Sequence, residues 1–287
     1  MRTCISIFLQ RIGPQHAFTR MMGWLAEIRT PWLKNYFLRR FIRKYHVDVT
    51  EAAVEDYRTY ATFNDFFIRK LKSGIRPIAQ DANGVVSPAD GTIAQIGQIA
   101  QNQLLQAKGH YFDLESLLAG DDALAHTFYD GTFATIYLAP HNYHRVHMPV
   151  DGKLIQTIYV PGKLFSVNQQ TAECIPRLYS RNERLICVFE SDAGRFVLIF
   201  VGAMIVGSIQ TAWMNEPVRG NKIHTENFSS SISFNKGDEL GYFKLGSTVI
   251  LLFEKNCVAW RESLLADAGI NFGNLLGLSL TPSLSRN

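Results

Sequence analysis

A glycine followed directly by a serine, at the start of an apolar run, has the clearest chemical potential in this sequence. Ser247 follows Gly246 and precedes Thr248 and the apolar residues 249–253. An activated Ser247 hydroxyl can attack the carbonyl carbon of Gly246, which has no side chain to obstruct the approach. The amide becomes an ester, and elimination then breaks the chain between 246 and 247 and leaves dehydroalanine at 247. Its imine tautomer is hydrolysed by water, with loss of ammonia, to a pyruvoyl group. The same residues also fit an ordinary turn that leads into a buried strand.

A serine that attacks its own chain needs a base, and two further segments contain candidates. Asp90 lies in Ser-Pro-Ala-Asp-Gly (residues 87–91), and His147 lies in Tyr-His-Arg-Val-His-Met-Pro (residues 143–149). A histidine can accept the hydroxyl proton, while an aspartate can fix its tautomer and stabilise the imidazolium, as in a Ser-His-Asp arrangement. Taken alone, Asp90 is equally typical of a turn, and His147 of a hydrogen-bonded residue at the end of a strand.

Seven segments in a fixed order resemble the bacterial phosphatidylserine decarboxylases. They are residues 62–67, 87–91, 106–110, 143–149, 159–168, 181–184 and 243–248. In this resemblance Asp90 and His147 fall on the acid and the histidine of the family, and Ser247 on its processed serine. The resemblance implies a proenzyme that cleaves itself between Gly246 and Ser247. The products would be a chain of residues 1–246 and a chain of residues 247–287, held together as one unit.

The resemblance also implies a reaction and its cofactor. The cofactor is a covalent pyruvoyl group derived from Ser247, and the substrate is phosphatidylserine. The substrate amine forms a Schiff base with the pyruvoyl carbonyl, which takes up electrons as carbon dioxide leaves and so yields phosphatidylethanolamine. We assign His144 the donation of the proton that replaces the carboxylate. Phe165, Ser166 and Asn168 are expected to form a wall of the substrate pocket, although a polar loop is the alternative for Ser166.

The charge of the chain is concentrated near its start. Residues 1–46 contain nine Lys or Arg and one acid, Glu27, for a net charge of +8, whereas the whole chain carries +4 and the remainder therefore −4. Apolar residues recur at helical spacing in the same segment, together with Trp24 and Trp32. This combination predicts amphipathic helices that lie on an anionic membrane surface. The first apolar run is too short to span a membrane, and no base-reading motif indicates nucleic acid.

The pattern of the chain predicts an α+β fold. Residues 1–80 are expected to form a helical, membrane-associating region, with helices over 50–57 and from Thr62 onward. Residues 81–287 alternate short apolar runs with turns, which predicts a β-rich catalytic domain built as a mainly antiparallel barrel or sandwich. We expect one short helix within it, over 114–118. Four widely spaced cysteines without a C-x-x-C pair indicate neither a zinc nor a redox motif.

Two other classes of function remain open from the residues alone. A noncatalytic membrane-binding β-module would leave Ser247 unreacted. A metal-dependent hydrolase at the membrane surface would use His141, His144 and His147, but alternate faces of a strand would separate them, so we expect no metal. The family resemblance implies a peripheral protein on the cytoplasmic face of the bacterial inner membrane. A homodimer of the two-chain units is open, and no nucleic-acid partner is expected.

Overall fold

The computed structural model describes residues 15–107, 109–203, 209–214, 220–244 and 247–280, with the backbone alone for His16 and Ser231. Ser247 is therefore described, whereas Gly246, on the other side of the expected cleavage point, lies outside the described residues. Within these ranges the fold is mixed α/β, with mostly antiparallel sheets, as the sequence predicts in outline.

The described helices of the N-terminal part form a small layer of their own. Their bounds are α1 Gln15–Ala26, α2 Pro31–Tyr45 and α3 Phe63–Phe67, with a single 3₁₀ turn at Tyr57–Thr59. A capping box begins α3, because the Thr62 hydroxyl accepts from Asp65 N while the Asp65 carboxylate accepts from Thr62 N. The helix predicted over 50–57 is wrong: the chain there runs through bends and an isolated bridge to Leu71.

A separate apolar cluster holds this layer together. Leu38 and Phe66 are fully buried in it, and Phe41 packs edge-on against Phe63 and Phe66. Lys34 is also buried, and its ammonium donates to the carbonyls of residues 58 and 60 at 2.9 and 2.7 Å. These bonds tie α2 to the 3₁₀ turn, because a buried ammonium must find acceptors.

The strands begin at residue 84 and run to residue 279. Sixteen are described: β1 Gly84–Val86, β2 Gly91–Gln98, β3 Gln103–Ala107, β4 His110–Asp113, β5 Thr132–Leu138, β6 Arg145–His147, β7 Gly152–Val160, β8 Arg184–Ser191, β9 Gly194–Gly202, β10 Ile209–Thr211, β11 His224–Phe234, β12 Glu239–Phe243, β13 Ser247–Phe253, β14 Val258–Trp260, β15 Gly269–Ile270 and β16 Leu275–Ser279. Four short helices, rather than the one predicted, are described between them: α4 Leu114–Leu117, α5 Asp122–Thr127, α6 Gln169–Ala172 and α7 Leu178–Arg181.

The largest sheet contains eight strands in the order β11-β7-β8-β9-β13-β5-β2-β15. This order has two ends, so the described strands do not close into the predicted barrel. β13 lies inside the sheet, antiparallel to β5 on one side and β9 on the other, and all seven of its residues are buried. A near-continuous apolar sequence is what a strand covered on both faces requires.

A smaller sheet contains His147, and His144 lies just before it. Its order is β10-β12-β6, and β6 pairs antiparallel with β12 in a register that places Arg145 opposite Tyr242. Three residues separate the end of β12 from the start of β13, so the small sheet is connected directly to the central strand. This connection brings the histidine segment and Ser247 to the same end of the molecule.

Candidate active site

Ser247 occupies the first position of the central strand. The register sets it between Leu138 of β5 and Gly202 of β9, and its side chain is completely buried. The hydroxyl oxygen has no hydrogen-bond partner among the described residues. A buried hydroxyl without a partner loses its bonds to water without replacement. The adjacent Thr248 hydroxyl is in the same state, so the position of Ser247 at the start of the strand, and not burial alone, distinguishes it.

His144 lies just before β6 and is fully buried. Its backbone oxygen accepts a hydrogen bond from Phe243 N at 3.2 Å, four residues before Ser247. The ring Nδ1–H donates to the Asn142 carbonyl at 2.8 Å, so Nε2 carries the lone pair, and no described group bonds to it. The Phe67 ring packs on the imidazole with centroids 4.0 Å apart. Burial lowers the pKa of His144 to about 3, which keeps the ring neutral.

His147 ends β6 and has a partner at each ring nitrogen. Nδ1–H donates to the Gly237 carbonyl at 2.8 Å, and Nε2 accepts from the Tyr143 hydroxyl at 3.0 Å. The backbone N–H of His147 donates to Pro88 O at 2.8 Å, which joins the two predicted motifs. Burial lowers the pKa of His147, while the charges of Glu239 and Asp90 act in the opposite direction.

Asp90 is buried beside His147 but makes different hydrogen bonds from those expected. Arg76 Nη2 donates to Asp90 Oδ2 at 2.8 Å, and the backbone N–H of Phe272 donates to Oδ1 at 2.8 Å. The same guanidinium binds Glu51 at 2.6 Å. Among the described hydrogen bonds none joins Asp90 to His147. The carbonyl of Gly237, rather than Asp90, therefore fixes the His147 tautomer, and Asp90 acts on His147 through its charge.

Phe272 is a site residue that the sequence analysis missed. Its ring stacks on the His147 imidazole, with centroids 3.8 Å apart and planes 16° apart, while its backbone binds Asp90. The turn that holds it is fastened to the first motif, because Ser87 N donates to Asn274 O at 2.8 Å. The Asn-Phe-Gly-Asn sequence at 271–274 signals a turn but not this long-range contact. Arg76, Tyr143 and Gly237 were missed for the same reason.

The expected substrate segment lies next to the start of the central strand. Asn182 is fully buried, and its side-chain amide donates to the carbonyls of Phe165 and Gly202 at 2.9 and 2.8 Å. Gly202 pairs with Ser247, so Asn182 fixes the segment beside the serine. Phe165 itself is buried under the Arg181 guanidinium.

The other two residues of this segment differ in what they do. The Asn168 side chain caps α6 by accepting from Thr171 N at 2.9 Å, and Ser166 is half-buried. Val167, between them, lines a cavity of about 330 Å³ together with Tyr137 and Tyr179. The substrate-binding role of Phe165, Ser166 and Asn168 stays a prediction.

The helical layer contacts the site through hydrogen bonds and an ion pair, as well as through the Phe67 ring on His144. Leu164 N donates to Gln15 Oε1 at 2.8 Å, and Lys244 forms an ion pair with Glu27 at 3.4 Å. Arg69, which follows α3, donates to the carbonyl of His141 at 3.1 Å. The layer is therefore attached to the expected substrate segment (residues 165–168) through the neighbouring Leu164, to the residues before Ser247, and to the residues just before the 143–149 motif.

The metal alternative finds no ligand cluster in the part of the chain that the structure describes, where no three His, Cys, Asp or Glu side chains are grouped to hold an ion. His144 and His147 instead direct their Nδ1–H groups to backbone carbonyls of Asn142 and Gly237. The Nε2 atom of each imidazole is therefore in the form that accepts a proton.

We predict that the buried His144 makes stability depend on pH. The folded-state pKa of about 3 lies below the ordinary value of 6.5, so the unfolded chain binds the proton more readily. The free energy of unfolding should fall as pH drops from 7 to 5, by about 2 kcal/mol for this residue. Denaturant titration of the Ser247→Ala chain with and without His144→Gln measures the difference. The exposed His126→Gln is the control, and an equal pH slope in all three proteins contradicts the prediction.

Comparison with known proteins identifies the family. A family model described as phosphatidylserine decarboxylase matches residues 63–277, and a second, described as PSD, matches residues 5–46. A phosphatidylserine decarboxylase proenzyme of Saccharophagus degradans is 46% identical over 279 residues, covering 96% of this chain and 98% of the relative. Proenzymes of the same name from Pasteurella multocida and Pseudomonas fluorescens are 49% and 47% identical, covering 95% and 98% of this chain and 94% and 99% of the relatives. The chain belongs to the phosphatidylserine decarboxylase family.

Proposed function

We propose that this chain is a proenzyme that cuts itself between Gly246 and Ser247 and then, with a pyruvoyl group at 247, decarboxylates phosphatidylserine to phosphatidylethanolamine. The observation that carries the proposal is the Ser247 hydroxyl, completely buried without a described hydrogen-bond partner at the first position of the central strand. A hydroxyl that no hydrogen bond stabilises is free to react as a nucleophile once a base removes its proton.

Asp90, His147 and Ser247 carry the self-cleavage in this proposal. His147 has its lone pair on Nε2, because Nδ1–H is bound to the Gly237 carbonyl. Nε2 accepts the Ser247 proton, and the negative charge of Asp90 stabilises the imidazolium that forms. After cleavage, β13 of the 247–287 chain still lies between β5 and β9 of the 1–246 chain. Those two ladders keep the chains together as one unit.

His144 serves the decarboxylation. The pyruvoyl carbonyl supplies an electron sink for the departing carboxylate. The substrate amine arrives as an ammonium and must lose a proton before it can act as a nucleophile. His144 Nε2 carries the lone pair that accepts that proton, since Nδ1–H is bound to Asn142 O and no described residue bonds to Nε2. The imidazolium then returns the proton to the carbon that has lost carbon dioxide.

The helical layer is the proposed membrane contact, consistent with the expected division of the chain near residue 80. Exposed aromatic and basic side chains crowd it: Trp24 and Trp32 are 69% and 73% exposed, and four cations of α2 are exposed, namely Arg39, Arg40, Arg43 and Lys44. Such a surface suits the headgroup layer of an anionic membrane. No described helix is both long and apolar enough to span a bilayer. The proposed place is the cytoplasmic face of the bacterial inner membrane.

Self-cleavage predicts two masses for the purified protein. Under denaturing conditions we expect fragments of residues 1–246 and 247–287, the shorter one with a pyruvoyl terminus, and a single intact chain for Ser247→Ala. Intact-mass spectrometry measures both. A wild-type chain that stays whole at 32.4 kDa after long incubation would refute the proposal. Native mass of the cleaved protein tests the separate prediction of a homodimer of two-chain units.

Replacing His144 should separate the two reactions. His144→Ala is expected to yield cleaved chains but to lower decarboxylation by roughly 100-fold or more, the loss typical of a missing acid–base group. Release of labelled carbon dioxide from phosphatidylserine measures the activity, and gel electrophoresis measures cleavage. His141→Ala, which replaces the histidine three residues earlier, is the matched control. An uncleaved His144→Ala chain would show that His144 is also needed for self-cleavage, so that the two reactions are not divided between His144 and His147.

The membrane contact predicts lipid-dependent binding. A Trp24→Ala, Trp32→Ala double variant should bind phosphatidylserine-containing vesicles about tenfold more weakly, because it loses interfacial aromatic area. An Arg39→Gln, Arg40→Gln variant should lose much of the salt dependence of binding. Vesicle co-sedimentation measures both, with the exposed Leu265→Ala, outside the layer, as control. Wild-type affinity and salt dependence in these variants would place the membrane contact elsewhere.

A further inference from the structure

We propose that the Tyr143 hydroxyl is a catalytic group of the self-cleavage, which relays the Ser247 proton to His147. The inference rests on the proposed self-processing function and adds a residue to it. Tyr143 precedes His144 in the histidine segment, and its hydroxyl bonds directly to the ring nitrogen that must take up the proton.

The hydrogen bonds of His147 fix the direction of proton transfer. The Gly237 carbonyl can only accept, so the bond of 2.8 Å to Nδ1 places the ring proton on Nδ1. Nε2 therefore has no proton to give, and the Tyr143 hydroxyl must donate to it across 3.0 Å. The Nε2 lone pair of His147 already accepts the hydrogen bond from the Tyr143 hydroxyl. A proton that reaches His147 in this geometry arrives through the Tyr143 oxygen.

Burial holds this pair in place. Tyr143 and His147 are 6% and 7% exposed, and their rings lie 25° from parallel with centroids 5.6 Å apart. Stacking of Phe272 on the imidazole further restricts its rotation. The charged groups that act on this pair are Asp90, Glu239, Arg145 and Arg69. Burial, the largest influence, raises the pKa of Tyr143, so the phenol stays neutral and can both donate and accept.

The hydroxyl oxygen of Tyr143 has capacity for a second bond. Its described hydrogen bonding is limited to His147. Tyr143 also lines a cavity of about 250 Å³ with Phe272, Arg76 and Glu239 among its walls. The Ser247 hydroxyl has no described hydrogen-bond partner. No described hydrogen bond joins the two hydroxyls, so the transfer requires a bridging water molecule or an approach of the two groups.

The relay balances atoms and charge. The Ser247 oxygen forms a bond to the Gly246 carbonyl carbon as its proton passes to the Tyr143 oxygen, directly or through one water molecule. The original Tyr143 proton passes at the same time to His147 Nε2. The imidazolium returns a proton along the same path to the nitrogen of residue 247 as the carbon–nitrogen bond breaks. Tyr143 ends each step neutral, and the product is the ester.

The test is the rate of self-cleavage of full-length Tyr143→Phe, which removes one oxygen atom and keeps the ring. Pulse-chase of cell-free translated chains gives the rate, with Tyr129→Phe as control, because that hydroxyl bonds to Glu115 away from the site. We expect roughly 100-fold slower cleavage for Tyr143→Phe and no change for the control. Cleavage at or above the wild-type rate would overturn the proposal, because His147 would then accept the proton without the Tyr143 hydroxyl.

Two further measurements distinguish a relay from a packing role. The cleavage rate is measured in mixtures of light and heavy water. Its dependence on the deuterium fraction should indicate that two protons transfer in the rate-limiting step of wild type and fewer in that of Tyr143→Phe. A packing defect would not change this number. The Tyr143→Phe, His147→Ala double variant should cleave no more slowly than His147→Ala alone, because both residues serve one path. Independent, additive losses would overturn the relay. Failure of the parent proposal would appear differently, as a wild-type chain that never cleaves.

Discussion

The pairing of β13 on both of its edges is the constraint on which the rest of the site depends. Seven consecutive residues, from Ser247 to Phe253, are matched to β5 and to β9 without a register shift. A strand inside a sheet cannot slide without exposing its apolar side chains and breaking two ladders. Ser247 is thus fixed to within the precision of the sheet. Cleavage before it removes no ladder, so the strand can lose its covalent connection and remain in place.

Burial sets the proton chemistry around that strand. Among the described hydrogen bonds, neither His144 nor His147 is paired with a carboxylate, and burial lowers the pKa of both. Their tautomers are fixed by backbone carbonyls, which leaves each Nε2 as an acceptor. Both imidazoles are therefore held in the neutral form, with Nε2 as the nitrogen that can accept a proton. The Asp90 carboxylate is bound by Arg76 at 2.8 Å.

The sequence was informative where a local pattern determines the structure. The apolar run after Ser247, the Thr62 cap and the mostly antiparallel body follow from periodicity and turn chemistry, and the family motifs supplied the candidate site residues, whose roles stay predictions. The contacts of Phe272 with Asp90 and of Gly237 with His147 span 182 and 90 residues, so no local rule could find them. The predicted 50–57 helix failed because the isolated bridge from Ala52 to Leu71 fixes that segment in another conformation.

The two histidines are three positions apart, yet their neighbours come from different parts of the chain. His144 packs on Phe67 of the helical layer, whereas His147 stacks on Phe272 of the segment that follows the cleavage point. Residues an odd number of positions apart on extended backbone point to opposite sides, which accounts for the separation. One side meets the layer through which a membrane lipid would arrive, and the other meets the part of the chain that processing cuts free. In the proposed function, the four residues 144–147 therefore serve a reaction that happens once and another that repeats.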